Sequence, residues 1–148
     1  MKVKEIMTRK VISVRPEDNA LDALNTLLMM QISGLPVIDE KGAIVGMFTE
    51  KEILVKILPS YLEGVGVFRY EENPKAVKQK VSALGSLKVK DLMRKEVITV
   101  DEETALCEVA RIMLTQKARR IPVLSISKQV VGIVARIDVV KALLKEYK

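Results

Sequence analysis

Histidine is absent from this chain of 148 residues. It is the commonest general base and the commonest metal ligand in proteins, so its absence excludes His-dependent nucleophilic catalysis and most zinc chemistry. The sequence also has no GxxxxGK phosphate loop, no paired-carboxylate pattern and no metal-ligand cluster. We therefore expect no enzymatic activity, no cofactor and no metal site.

Cysteine occurs once, at Cys107, so no intrachain disulfide can form. Its position in the apolar run ALCEVARIML predicts a small buried side chain rather than a reactive thiol. The first ten residues contain no apolar core of a signal peptide, and no apolar run is long enough to span a membrane. These features favour a cytoplasmic protein without membrane contact.

Aromatic residues make up only 3% of the chain, while the net charge is +6 and the pI about 9.4. The positive charge permits nucleic-acid binding, but acidic residues are interspersed with it and few rings are present to stack on bases. Nucleic-acid binding therefore remains only as an alternative function.

The sequence instead contains an internal repeat. GMFTEKEIL at residues 46–54 is followed 86 positions later by GIVARIDVV at residues 132–140. The same offset aligns VKEIM with VKDLM, VISV with VITV, and GLPVID with RIPVLS, without a gap. The duplication predicts a first repeat over 1–58, a partly structured linker over 59–88 and a second repeat over 89–148. A unit of roughly 56 residues buries too little of its surface to be stable alone, so the two repeats are expected to share a core.

Each repeat has the pattern of a β-α-β-β-α unit. VISV and VITV are typical of short strands, and a helical apolar pattern follows each. Pro16 suits a first helical turn, and four acidic residues suit the positive end of the helix dipole. These acidic residues are Glu17, Asp18, Glu102 and Glu103. Two further strands and a closing helix complete each repeat.

In the linker, Gly64 and Gly66 interrupt the apolar pattern, and a short helix is predicted over PKAVKQKVSAL, which begins at Pro74. Three aromatic residues, Tyr61, Phe68 and Tyr70, cluster in it. We expect them to pack onto the body of the protein or onto a partner subunit.

The segments VKEIMTRKVISV and ISGLPVIDEKGAIVGMFTEKEIL, with their second copies, resemble tandem CBS (cystathionine-beta-synthase) domains paired as a Bateman module. The resemblance covers nearly the whole chain. It implies an α+β (α/β-like) fold in which two pseudo-symmetric β-α-β-β-α repeats pack sheet to sheet and leave two clefts between them. It also implies a ligand such as AMP, ADP, ATP, NAD or S-adenosylmethionine, a homodimeric four-repeat disc, and an effector protein on a separate chain.

The family's ligand signature is a glycine-led strand that ends in Thr or Ser, followed three residues later by Asp at the start of the closing helix. The hydroxyl and the helix N-terminus can meet a phosphate, and the carboxylate can accept hydrogen bonds from ribose. The first repeat has Thr49, but Glu52 stands in place of Asp. Thr-x-x-Glu is also a capping box that needs no ligand.

The second repeat has Asp138, but Ala135 replaces the hydroxyl residue in the ARID segment that includes Arg136. A charge-assisted hydrogen bond contributes about 1.5–3 kcal/mol and a neutral one about 1 kcal/mol, so the carboxylate outweighs the missing hydroxyl. Because Ala135 has no side-chain acceptor, only the helix dipole is expected to compete with a ligand for Asp138. The sequence thus favours the cleft at Asp138.

The resemblance further implies that each cleft borrows residues from the other repeat. For the Asp138 cleft these are Met7, Ile12, Ile32 and Ser33, which would form a slot for adenine together with Ile133 of the second repeat itself. For the Glu52 cleft they are Met93, Ile98, Ala118 and Arg119, and Arg119 and Arg120 stand where related sensors place phosphate-binding side chains. Core packing of the apolar residues and a solvated arginine pair are the alternatives.

Three function classes follow from the sequence. The first is a non-catalytic sensor that binds an adenosine-containing ligand and signals to a separate protein. The second is a ligand-free protein-interaction scaffold, and the third is a nucleic-acid-binding protein. Homodimerisation would bury the apolar sides of the helices predicted over NALDALNTLLMM and ALCEVARIML.

Overall fold

The structure is a computed structural model, and it describes residues 1–58 and 74–146. The chain divides into two compact units, neither of which is continuous in sequence. Unit 1 comprises Met1–Ile12, Glu40–Ile44 and Val97–Lys148, and unit 2 comprises Ser13–Asp39 and Val45–Glu96. The predicted aromatic cluster of the linker lies outside the described residues.

Helices and strands alternate along both repeats. The helices are α1 (Ala20–Met30), α2 (Glu50–Ile57), α3 (Pro74–Ala83), α4 (Val89–Leu92), α5 (Leu106–Thr115) and α6 (Arg136–Glu146). The strands are β1 (Gly34–Ile38), β2 (Ile44–Thr49), β3 (Val100–Asp101), β4 (Arg120–Leu124) and β5 (Val130–Ala135). Short 3-10 helices cover Val3–Glu5 and Leu84–Ser86. The predicted linker helix is confirmed as α3. Within the described parts of the chain, no helix combines the length and apolar character needed to cross a bilayer.

Unit 1 contains a three-stranded sheet in the order β3-β4-β5. β3 runs parallel to β4, and β4 pairs antiparallel with β5, so that Arg120 lies opposite Ala135. Helix α5 turns Leu106, Val109 and Met113 inward at helical spacing. The second repeat therefore forms the predicted β-α-β-β-α order, with strand VITV shortened to its last residue and Asp101.

Unit 2 contains the two-stranded sheet β1-β2. The strand predicted at VISV is reduced to one parallel bridge between Val14 and Val37. Fully buried side chains from both strands and from the segment after α3 form the centre of this unit. They include Leu35, Val37, Phe48 and Leu84.

The leading segment of each repeat packs in the unit formed by the other repeat. In unit 1, the Val3 N–H donates to the Thr104 carbonyl at 2.9 Å, and Thr8 and Ile133 exchange two backbone hydrogen bonds at 2.9 Å. In unit 2, the equivalent bonds join Val89 to Asp18 at 2.8 Å and Arg94 to Met47 at 2.8 and 2.9 Å. The sequence repeats and the compact units therefore have different boundaries.

The predicted helix starts are wrong by several residues. Helix α1 begins at Ala20, and the Asn19 side chain caps it by accepting the Leu21 and Asp22 N–H groups. Pro16 lies in the turn before the helix, so it does not occupy the first helical turn. The acidic residues 17, 18, 102 and 103 also precede the helices. Glu17 and Glu103 form ion pairs with lysines instead of facing a helix dipole.

The prediction for Cys107 is also wrong, because its side chain is exposed. Its neighbour Leu106 and the residue Val109 occupy the buried face of α5. The apolar run contains a solvent-facing position that its composition does not reveal.

Candidate functional site

Asp138 is the third residue of helix α6 and is half-buried in unit 1. Its Oδ2 atom accepts a hydrogen bond from the Ala135 backbone N–H at 2.8 Å. This bond is one half of a capping box, and it needs no side-chain acceptor at Ala135. The expectation that only the helix dipole would compete for Asp138 is therefore wrong, since one carboxylate oxygen already caps the helix.

Arg120 is the first residue of β4, where it pairs with Ala135, and its guanidinium interacts electrostatically with the Asp138 carboxylate. The Nε atom of Arg120 is buried and has no hydrogen-bond partner among the described residues. Burial lowers the pKa of the Arg120 guanidinium below its usual range, and the Asp138 charge opposes that shift. Buried donors normally have partners, and an unsatisfied one costs about 1–3 kcal/mol. The site thus contains a donor that an acceptor group could satisfy.

The residues before Arg120 hold the start of α6 in place. The Arg136 N–H donates to the Arg119 carbonyl at 3.1 Å, and Arg136 Nε donates to the Ala118 carbonyl at 3.2 Å. The side chains of Arg119 and Arg136 are exposed. These bonds fix the strand β4 against the helix N-terminus that carries Asp138.

The apolar residues predicted to hold adenine in unit 1 are closely packed. Met7 and Ile133 are 8% and 4% exposed. The Met7 sulfur lies so close to Gly132 that a Cβ atom at that position would clash with it. Ile12 is half-buried, and Ile98 packs against the core of the unit. Core packing accounts for Met7 and Ile133 in this structure.

A cavity of about 530 Å³ opens between α6 and the 3-10 helix Val3–Glu5, and we call it groove A. Its lining consists of Glu5, Ile6, Asp138, Lys141, Ala142, Leu144 and Lys145. Asp138 is the only predicted site residue among them. The sequence analysis did not include Lys141 and Lys145 in the site. They lie three and seven residues after Asp138, a spacing that places the three residues on one face of α6.

Unit 2 contains Glu52 at the position equivalent to Asp138, but its hydrogen bonding differs. Thr49 is the N-cap residue of α2, but its side chain makes no capping bond, and its hydroxyl instead donates to the Glu52 carboxylate. The predicted alternative of a complete capping box is therefore wrong. The Ser33 carbonyl accepts the Glu50 N–H at 3.1 Å, and Met93 packs against Gly46 as Met7 does against Gly132.

A second cavity of about 560 Å³, groove B, lies in unit 2 beside Glu52. Its lining consists of Glu52, Val55, Lys56, Lys80, Ala83, Asp91 and Leu92. Five of these positions are the 86-residue equivalents of groove A positions. The groove is therefore a repeated feature of the two units.

The predicted site residues divide between the units. Unit 1 contains Met7, Ile12, Ile98, Ala118, Arg119, Arg120, Ile133, Ala135, Arg136 and Asp138, and unit 2 contains Ile32, Ser33, Thr49, Glu52 and Met93. The assignment of Ile32 and Ser33 to the Asp138 cleft, and of Arg119 to the Glu52 cleft, stays a prediction. The electrostatic interaction of Arg120 with Asp138 was not predicted, although antiparallel pairing of RIPVL with VVGIVA places Arg120 opposite Ala135.

Comparison with known proteins identifies the fold. The family model of the CBS domain matches residues 3–59 and 89–145. The chain belongs to the CBS domain family. Each match covers one of the two sequence repeats, so the resemblance to a tandem pair of CBS domains is confirmed.

Curated relatives of the chain include longer proteins. The chloroplastic CBS domain-containing protein CBSX1 of Arabidopsis thaliana is 34% identical over 154 residues, which cover 97% of this chain and 64% of that protein. Inosine-5'-monophosphate dehydrogenase of Methanocaldococcus jannaschii is 27% identical over 140 residues, which cover 95% of this chain but 23% of the dehydrogenase. The chain thus spans less than two thirds of the length of these relatives.

Solved structures agree with this assignment. The crystal structure of CBSX2 from Arabidopsis thaliana superposes with a TM-score of 0.80 at 28% identity, covering 99% of this chain and 96% of that one. The crystal structure of CBSX2 in complex with AMP gives a TM-score of 0.75, also at 28% identity, over 99% and 98% of the two chains. These matches confirm the α+β CBS-pair fold.

Proposed function

We propose that unit 1 of this CBS protein binds an adenosine-containing ligand, with AMP, ADP and ATP as the leading candidates, and has a regulatory rather than catalytic role. The observation that carries the proposal is the buried Arg120 Nε, which has no hydrogen-bond partner in the described part of the chain and whose guanidinium feels the charge of Asp138. Buried N–H donors normally have a hydrogen-bond acceptor. A bound ligand would supply that acceptor to the Arg120 Nε–H. The AMP complex of CBSX2 supports the choice of ligand class.

The two side chains have complementary roles in this proposal. Asp138 Oδ2 is occupied by the Ala135 N–H, so its other oxygen is the acceptor for ribose hydroxyls. Arg120 supplies a charged planar donor for a phosphate oxygen. Its charge compensates for the missing hydroxyl at Ala135.

Thermal unfolding with a panel of AMP, ADP, ATP, NAD and S-adenosylmethionine tests the proposal. A ligand at 100 times its dissociation constant adds about 2.7 kcal/mol, which corresponds to a rise in Tm of several degrees. Asp138→Ala should reduce the shift, but it also removes the helix cap. Asp138→Asn keeps an oxygen acceptor for the Ala135 N–H but loses the charge. It should therefore reduce the ligand-induced rise in Tm, and it should lower the Tm of the ligand-free protein less than Asp138→Ala does.

Glu52→Gln in unit 2 is the matched control and should leave the shift unchanged. The proposal fails if no compound on the panel raises Tm. It also fails if Asp138→Asn keeps the full shift.

We further propose that the protein forms a homodimer and that a separate effector protein responds to the bound ligand. Exposed apolar side chains on the helices support a second copy as the partner. In unit 1 they are Leu114, Ile137, Val140 and Leu144, and in unit 2 they are Leu28, Met29, Met30, Leu54 and Val55. Exposed apolar patches on the surface of a protein commonly mark protein–protein interaction sites.

A further inference from the structure

We propose that Ala135 is a specificity-determining residue. Its small side chain leaves space for Arg120, so unit 1 takes up the ligand, and unit 2, which has Thr49 at the position equivalent to Ala135, does not. Each chain therefore binds one ligand. This inference rests on the proposed function, because it explains which of the two repeats carries that site.

In unit 2, two neighbouring strand ends leave no room for a further side chain. Gly34 is buried at the start of β1, and Thr49 is the last residue of β2. A Cβ atom at Gly34 would lie 3.0 Å from Thr49 Cγ2, which is closer than ordinary van der Waals contact. The Thr49 hydroxyl donates to the Glu52 carboxylate, and this bond holds the threonine in the rotamer that directs Cγ2 towards Gly34.

Unit 1 has the opposite combination at the equivalent positions. With the offset of 86 residues, Arg120 stands for Gly34 and Ala135 stands for Thr49. Arg120 and Ala135 are paired across β4 and β5. If Cγ2 were removed from unit 2, the nearest remaining neighbours of a Cβ at Gly34 would be the Phe48 carbonyl oxygen and Thr49 Cβ, both at the ordinary distance of 3.6 Å. Alanine at the second position of the pair therefore permits a long side chain at the first.

The exchange also decides which polar groups are available to a ligand. In unit 2 a side-chain hydroxyl already donates to the Glu52 carboxylate, and residues 31–34 include no charged side chain. In unit 1 the Asp138 carboxylate accepts a backbone N–H. Arg120 Nε is the one buried side-chain polar atom without a hydrogen-bond partner among the described residues. The donor that lacks an acceptor is thus present in unit 1 and has no counterpart in the described part of unit 2.

Replacement of Ala135 tests the inference most sharply, because the family signature makes the opposite prediction. In the signature a hydroxyl at this position contacts the ligand, so Ala135→Thr would strengthen binding. We expect Ala135→Thr to bind AMP, ADP and ATP about tenfold more weakly in isothermal titration calorimetry, the equivalent of one lost hydrogen bond, because the added Cγ2 occupies the space of Arg120. Ala135→Ser adds the hydroxyl without Cγ2, so this matched control should bind more tightly than Ala135→Thr.

Stoichiometry tests the assignment of the site to unit 1. The wild-type protein should bind one nucleotide per chain. The triple variant Gly34→Arg/Thr49→Ala/Glu52→Asp copies the unit 1 residues into unit 2 and should bind a second nucleotide. Gly34→Arg alone should lower Tm and add no site. Without any ligand, Gly34→Ala should lower Tm in the wild-type background and lower it less in the Thr49→Ala background.

The outcomes separate this inference from the proposed function. Stronger binding by Ala135→Thr, or two nucleotides per wild-type chain, would overturn the inference and leave the adenosine site in place. An equal fall in Tm from Gly34→Ala in both backgrounds would overturn its steric basis. Binding of none of the three nucleotides by the wild-type protein would overturn the proposed function and this inference with it.

Discussion

Two lysine–glutamate clusters attach the leading segment of each repeat to the unit in which it packs. Glu103 contacts Lys2 at 2.7 Å and Lys4 at 2.6 Å, and Glu17 makes the equivalent contacts with Lys88 at 2.8 Å and Lys90 at 3.0 Å. Hydrogen bonds from Lys2 and Lys4 lower the pKa of Glu103 to about 2. The same interactions with Lys88 and Lys90 lower the pKa of Glu17.

This shift predicts a small acid-dependent loss of stability. Because the folded state lowers the pKa of Glu103 from 4.5 to about 2, its contribution is fully present above pH 4.5 and is lost as pH falls towards 2. Glu103→Gln should flatten the dependence of Tm on pH in this window, and added salt should weaken the wild-type effect because the side chains are exposed. Glu96→Gln, at a glutamate without a described ion pair, is the control. Parallel Tm profiles for Glu103→Gln and wild type would contradict the prediction.

At the scale of elements, helices α1 and α5 are each followed by a residue other than glycine in the left-handed backbone conformation. Gln31 and Lys117 follow these helices with left-handed φ angles of 54° and 55°. A side chain in this conformation costs about 1 kcal/mol relative to glycine.

Lys117→Gly should therefore raise the free energy of unfolding by about 1 kcal/mol and Tm by about 2–4 °C. Lys117→Ala is the control, since it removes the long side chain but keeps the Cβ atom. A Tm for Lys117→Gly at or below that of Lys117→Ala would refute this explanation.

The elements also show what sequence patterns can and cannot predict. The closing helices, the β4-β5 hairpin and the position of Asp138 follow local apolar spacing and turn residues. The start of α1 does not, because the Asp18 and Pro16 carbonyls accept bonds from Val89 and Lys90, far along the chain. The hydrogen bond by which Asp138 caps α6 was not predicted, because the prediction considered only side-chain acceptors at position 135. The donor is the backbone N–H of Ala135. The burial of Arg120 Nε without a partner among residues 1–58 and 74–146 depends on the three-dimensional packing, which no local sequence pattern contains.

At the scale of the whole molecule, the exposed apolar helix faces predict self-association. Light scattering should give about twice the 16.6 kDa mass of the chain. Leu114, 76% exposed on α5, should be part of the buried contact, so Leu114→Lys should shift the protein towards monomer. Ile126→Lys is the matched control, because Ile126 is 94% exposed but lies in the turn between β4 and β5. A monomeric wild-type protein would rule out the dimer.

The most direct test of the central claim is a nuclear magnetic resonance titration of the ¹⁵N-labelled protein with AMP. The account predicts saturable shifts of the Arg120 Nε–H and Ala135 backbone N–H signals, because the ligand supplies the missing acceptor beside Asp138. The Arg120 signal would be assigned by its loss in Arg120→Lys. Saturating AMP that leaves both signals unchanged would contradict an adenine-nucleotide site in unit 1.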